Sequence, residues 1–350
     1  MSALSCQQSR STGSMRRGAA LGRILGGVIS VAMGTSLLAP STAGAQEYPA
    51  KPVRLLIGAA QGGPQDALLR GTALLLTQAL GQTFMVENRV GADGIIAGEA
   101  CARAAPDGYT LCSNDNWAIS LNPLLHLKMP YDPLRDLIPV VHFGYLAAAI
   151  VASPSLQVRS MADLLELARR KPGAVSWGSY GTSSASNLYI EWLGKSRGVD
   201  FLNVPYKSAA LAYTAMLGGE VQVAYIAAGI GASALRAGKF VGMAMVGPDT
   251  RSGLMPEVPT WKEAGLDFNI GTWFGLFAPA GTPRAVVDRL NATIARELIS
   301  NPTARDRYLA SVGVAAEAPA GGPPEAFAAL IQRENEKLAA LVKTIGIKAE

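Results

Sequence analysis

The chain has 350 residues, 49% hydrophobic and 16% charged, which is enough to bury a core in one large or two medium domains. Most of its formal charge of +5 belongs to the N-terminus: four of the 31 basic residues and none of the 26 acidic ones lie in residues 1–45, leaving 27 against 26 beyond them. That balance, with no basic run or aromatic-basic interleaving, excludes nucleic acid as an expected partner.

Arg10, Arg16 and Arg17 precede an uncharged, largely apolar run over residues 24–39, and Ala43-Gly44-Ala45 supplies a small-x-small cleavage pattern before Gln46. Together they predict a secretory signal peptide over residues 1–45, cleaved after Ala45. The run has 16 residues, short of the roughly 20 that a membrane span needs. Arg16-Arg17 is a poor twin-arginine match, and Met15 is an alternative start. Cys6 leaves with the signal, so Cys101 and Cys112 remain. An oxidising compartment permits a bond between them, whereas a cysteine on a helical pattern and another in a strand suit buried free thiols. Their spacing leaves both open. No metal-ligand spacing occurs, and no cofactor is expected.

Beyond the signal, an apolar strand over residues 53–58 runs into a glycine turn at 58–63, and Pro64 opens a helix closed by Gly81. Such a strand–turn–helix directs unpaired backbone N–H groups and the positive end of a helix dipole outward, a seat for an anion. Residues 83–87 form the next strand, 88–94 a second glycine turn, and 95–105 a small-residue helix. A short strand at 109–112 is followed by a polar loop over 113–117, a short helix at Asn122-Pro123, and a rigid Tyr131-Asp132-Pro133 connection. This alternation predicts a parallel sheet flanked by helices.

Residues 137–153 read as strands that leave one domain and enter another. A helix over 161–170 takes Ser160 as its cap. A strand at 175–178 then meets a third small-residue turn at 179–184, followed by helix 185–194. Strands ending near Lys207 and at 221–225 and 241–246 alternate with helices at 209–217 and 227–237, and 256–265 is a loop and short helix. Residues 273–278 form the returning strand, and helices follow over 283–299, after Pro302, and over 324–345. No solenoid repeat is present. Two α/β lobes joined by two crossings enclose a cleft into which the glycine turns point.

The segments YPAKPVRLLIGAAQGGPQDALLR, VENRVGADGIIAGEACARAAPDGYTL, NPLLHLKMPYDPLRDLIPV, VPYKSAALAYTAMLGGEVQV and TWFGLFAPAGTP resemble, in order and spacing from Tyr48 onward, the Bug family of extracytoplasmic solute receptors of tripartite tricarboxylate transporters. The resemblance implies a two-lobed type II periplasmic-binding-protein fold (Venus flytrap), each lobe a mostly parallel sheet flanked by helices, with lobe 1 at 46–145 and 271–350 and lobe 2 at 146–270. It implies a monomer in the periplasm that captures a small carboxylate, amino acid or aromatic acid with backbone donors at helix starts and delivers it to membrane subunits of a transporter. The family's PGGxxD loop corresponds to Gln61, Gly62, Gly63, Pro64, Gln65 and Asp66. Its PGAGG loop corresponds to Val90, Gly91, Ala92, Asp93 and Gly94. Its second-lobe turn corresponds to residues 179–184, with Gly181, Thr182, Ser183 and Ser184 as candidate contacts and Asn187 where histidine is frequent, and its VPYKG element includes Lys207.

This chain departs from the family at Gln61, Asp93, Ile95 and Ser208. Asp93 replaces glycine, and Asp115 is expected to face the cleft too. Two carboxylates there would repel a dicarboxylate, by roughly 4 kcal/mol for a pair at 4 Å in an effective dielectric near 20. The expectation is a ligand bearing an amino or amide group, or a neutral one; the alternative is that Asp93 faces solvent or caps the next helix. Among the tryptophans Trp117 is the candidate for the cleft, and the others are core or rim. Asp66 suits the first turn of a helix, and His126 and His142 read as structural. An enzyme is the rival class, but Gly178-Ser179-Tyr180-Gly181 lacks nucleophile-elbow spacing and no catalytic triad pattern is present. A binding protein feeding a sensor instead of a transporter is a further alternative.

Overall fold

The computed structural model describes residues 48–181, 184–247, 250–267, 269–317 and 319–346. The expected signal peptide, its cleavage site and the choice of start lie outside them. Strand β1 (Val53–Ile57) leads to helix α1 (Pro64–Leu80), β2 (Phe84–Asn88), α2 (Ile95–Ala102) and β3 (Thr110–Asp115). Short helices α3 (Asn122–Leu125) and α4 (Pro133–Asp136) precede β4 (Leu137–Leu146). Pro64 stands in the first turn of α1 and Gly81 closes it by donating its N–H to Thr77 O.

After Ala147 the chain continues as β5 (Ala148–Ala152), α5 (Met161–Arg170), β6 (Ser176–Ser179), α6 (Ala185–Arg197) and β7 (Leu202–Pro205). Next come α7 (Ala209–Leu217), β8 (Val223–Ala227), α8 (Ala228–Arg236) and β9 (Val241–Val246). The serines before three of these helices act as caps: Ser160, Ser184 and Ser208 accept from the N–H groups of Asp163, Asn187 and Leu211. Finally β10 (Thr272–Pro279), α9 (Arg284–Ile294), α10 (Pro302–Tyr308), β11 (Val314–Ala315) and α11 (Pro324–Ile345) complete the fold. Residues 256–265 hold turns without the expected short helix.

The strands form two sheets, ordered β11-β4-β10-β3-β1-β2 and β7-β6-β8-β5-β9. Both are mixed but mostly unidirectional: β10 and β11 run against the other strands of the first sheet, and β5 against those of the second. β1 pairs parallel with β2 and β3, and β6 with β7 and β8. β10 runs antiparallel to β3 and β4, β11 to β4, and β5 to β8 and β9. The cause is the crossing itself. Only Ala147 separates β4 from β5, so the chain passes directly from one sheet into the other, where β5 enters against β8 and β9, and β10 returns against β3 and β4.

Each sheet has its own core, with Leu55, Ile57, Leu68 and Leu69 central to one and Trp177, Tyr189, Trp192 and Trp261 to the other. Helix α11 serves both lobes. Its Phe327, Leu330 and Ile331 pack with Trp273 and Phe277, whereas Leu338, Leu341 and Ile345 join the second lobe's core. The end of the chain is therefore not confined to lobe 1. Cys101 on α2 and Cys112 on β3 form a disulfide, fully buried.

His142 on β4 is enclosed by Tyr145, Trp273 and Phe327, with ring centroids 5.3, 6.2 and 5.2 Å away. Neither ring nitrogen has a hydrogen-bond partner among the described residues. Burial pushes its pKa down to about 4, so the native state holds it neutral. Its stabilising contribution is complete above pH 6.5, the unfolded value, and is lost as pH falls toward 4. We expect His142→Phe to lose less stability over that interval than the unaltered chain, by on the order of 3 kcal/mol, in denaturant unfolding at each pH. We also expect the double variant Cys101→Ala, Cys112→Ala to be less stable at pH 7 by about 2–4 kcal/mol, as is usual for loss of a native disulfide.

Candidate functional site

The first wall is built where β1 ends. Asp66, in the first turn of α1, is buried, and its carboxylate accepts from Gly62 N–H at 3.0 Å, Arg70 Nε at 2.9 Å and Asn88 Nδ2 at 2.8 Å. Burial opposes its ionisation, but the bonds from Arg70, Gly62 and Asn88 outweigh it and hold the pKa below the usual carboxylate value. Asp66 thus fastens the turn to β2 and α1 in a structural role. The second glycine turn lies against the first: a Cβ at Gly58 would stand 2.6 Å from Gly94 Cα, so the two backbones need glycine there to approach.

Residues 91–94 all have positive φ, including Ala92 at 45° and Asp93 at 50°. Non-glycine residues rarely hold that conformation, and aspartate tolerates it better than most. The buried Asn122 secures the loop by donating to Asp93 O at 3.0 Å. The exposed Asp93 side chain extends to the other lobe, where a Cβ at Gly181 would stand 2.5 Å from its Oδ1. Gly181 has φ of 83°, so conformation and space both favour glycine at that position.

β3 supplies the floor. It runs through Ser113 to Asp115, where a polar loop was expected, because β1 and β10 pair with it on both sides. Ser113 Oγ accepts from Gln65 Nε2 at 3.1 Å, and Asp115 Oδ1 accepts from Ala118 N–H at 2.9 Å. Burial pushes the Asp115 pKa up to about 6; N–H groups of Ala118 and Trp117 oppose the shift, and the charge of Asp93 adds to it. Trp117 then starts a wide helical turn over Trp117–Leu121 and donates from Nε1 to Thr272 Oγ1 at 2.8 Å. The Tyr225 hydroxyl lies 3.2 Å from the same oxygen.

Both walls close on one cavity of about 460 Å³. Of the candidate residues, Gln61, Gly63, Gly91, Ala92, Asp93, Gly94, Asp115, Trp117, Gly181, Ser184 and Lys207 line it. Gly62 does not, since its N–H serves Asp66. Nor does Asn187, whose Oδ1 accepts from Asn203 Nδ2 on β7. Thr182 and Ser183 lie outside the described residues. Gln65 and Tyr206, which lay in the family's loops without being singled out, also line it, and sequence reasoning missed Ser113, Tyr180, Tyr225 and Phe274. Tyr180 lay inside the small-residue turn and was the readable one; Tyr225 and Phe274 come from strands that meet the cleft only through sheet order. The remaining tryptophans, Trp177, Trp192, Trp261 and Trp273, are core.

The first turns of α1, α6 and α7 all reach this cavity, through Pro64 and Gln65, Ser184 and Ala185, and Ser208 to Ala210. The N–H groups of Gln65, Ala185, Ala209 and Ala210, in these first turns, have no partner within the helix, so an anion held here is addressed from both lobes. Trp117, Tyr180, Tyr225 and Phe274 add apolar faces. The arrangement suits binding of a small polar solute. Ser184 is committed as a cap, its hydroxyl donating to Gly181 O at 2.8 Å.

The profile of the family described as "Tripartite tricarboxylate transporter family receptor" matches residues 68–347. A protein of Pseudomonas sp. (strain P51), described as "UPF0065 protein in tcbD-tcbE intergenic region", is 32% identical over 322 residues, covering 91% of this chain and 93% of that one. The solved periplasmic binding protein BugD is 29% identical with a TM-score of 0.78, over 87% of this chain and 100% of that one. An R. palustris protein solved with adipate is 29% identical with a TM-score of 0.79, at the same coverage. This family and these structures are binding proteins rather than enzymes. With its two α/β lobes and the cleft between them, the chain belongs to the tripartite tricarboxylate transporter receptor family, the Bug group of periplasmic solute-binding proteins.

Proposed function

We propose that this protein captures a small organic acid or related solute in the interlobe cavity and delivers it, in the periplasm, to the membrane subunits of a tripartite-type transporter, without transforming it. The observation that carries the reading is the convergence of three helix starts from two lobes on one cavity. A hydrogen bond to a charged group contributes about 1.5–3 kcal/mol net, so several such donors suffice for micromolar binding, which requires about −8 kcal/mol. The cavity volume fits a solute of the size of adipate, which the R. palustris relative holds. The arginine-bearing, apolar N-terminal segment with its Ala43-Gly44-Ala45 motif supports export.

A ligand that binds only the native state at a hundred times its Kd adds about 2.7 kcal/mol of stability. We therefore expect at least one member of a panel of organic acids, amino acids and aromatic acids to raise the melting temperature of the chain from Gln46 onward by several degrees. The bound compound should be recovered unchanged after prolonged incubation. A flat panel would remove the receptor reading, and turnover would place the protein among enzymes.

A further inference from the structure

We infer that the cavity prefers a small carboxylate that also carries a cationic nitrogen, and that Asp93 and Asp115 are the residues that set this preference over a dicarboxylate. The inference rests on the receptor reading above and deepens it.

Asp93, Asp115 and Lys207 are the charged side chains among the described lining residues, and no arginine stands with them. A ligand with one carboxylate can place it at the helix starts, whose donors and dipoles favour it. A second carboxylate would enter a space where two protein carboxylates already interact, since the charge of Asp93 is felt at Asp115. A cationic group in the same space relieves that repulsion, because an opposite charge nearby favours the ionised form of both.

The geometry keeps both acids at the cavity. Asp93 cannot readily turn away with its backbone, which is fixed in a left-handed loop and anchored by Asn122 at its carbonyl. Its carboxylate extends across the mouth of the cleft to Gly181, so a ligand enclosed between the lobes shares the space with it. Asp115 ends β3 opposite Phe274 of β10, and its Oδ1 is held by Ala118 N–H. Tyr180 and Tyr225, whose rings are 6.5 Å apart, line the same cavity with Trp117. Aromatic faces attract cations electrostatically, most strongly where water is excluded. The charge pair and the rings therefore favour the same group, an alkylammonium or a substituted one.

Calorimetric titration of the chain from Gln46 onward tests this with ligands matched for length: succinate, 4-aminobutanoate and butanoate, then adipate, 6-aminohexanoate and hexanoate. We expect the amino acid of at least one series to bind about tenfold or more tighter than its diacid. Asp93→Asn and Asp115→Asn, which keep size and one acceptor oxygen, should each shrink that ratio severalfold. Asparagine also tolerates the left-handed conformation at position 93, and circular dichroism would verify the fold. A diacid that binds as tightly as its amino counterpart overturns the inference and leaves the receptor reading standing. So does an Asp93→Asn effect equal for all three ligands, which would assign Asp93 to lobe closure. Absence of binding by every compound overturns the inference together with the receptor reading.

Discussion

The architecture depends on a topological constraint: the chain passes from one sheet to the other through a single residue, Ala147, and returns through β10. The strands that flank the first crossing, β4 and β5, and the strand that receives the second, β10, are each fixed by ladder hydrogen bonds in their own sheet. Polar side chains reinforce the crossing. Asn116 donates to Gly271 O and accepts from Trp273 N–H, and Thr272 receives the indole of Trp117. The cleft floor at Asp115 to Trp117 is thus tied to the returning strand, and the cavity inherits its position from the way the lobes are joined. Ser113, Asp115, Trp117, Thr272 and Phe274 meet there although more than 150 residues separate Asn116 from its partners.

Local signals in the sequence were dependable where local chemistry decides. Ser160 before 161–170, Pro64 and Gly81 around α1, and the bounds of α7, β9 and α11 followed from caps, prolines and apolar periodicity. Strand direction was not readable, because the antiparallel pairing of β10 with β3 and β4 is a matter of distant partners. The same reason explains Ser113 to Asp115: polar residues read as a loop, yet pairing with β10, and with β1 at Ser113, draws them into β3. The spacing of Cys101 and Cys112 could not say whether their side chains meet; the packing of α2 on β3 brings their Cα atoms to 5.9 Å.

At the site, the glycine turns were legible because close backbone approach leaves a compositional mark. What escaped was the use of individual groups. Gly62 looks like an equal member of its turn, but its N–H is consumed by Asp66. Asn187 follows the second-lobe turn closely, but its Oδ1 is engaged by Asn203. Tyrosines from three separate segments reach the cavity, and no single stretch announces them. Asp93 and Asp115 bring the negative charge to this cavity, and Lys207 the positive.

Helix α11 bears on how the molecule comes apart. One end of it completes the core around Trp273 and Phe277, and the other completes that around Trp177 and Trp261. Neither lobe can melt without stripping apolar side chains from the same rigid rod. A protein with two sheets and two cores is thereby given a single cooperative unit, in which thermal unfolding of one half removes support from the other.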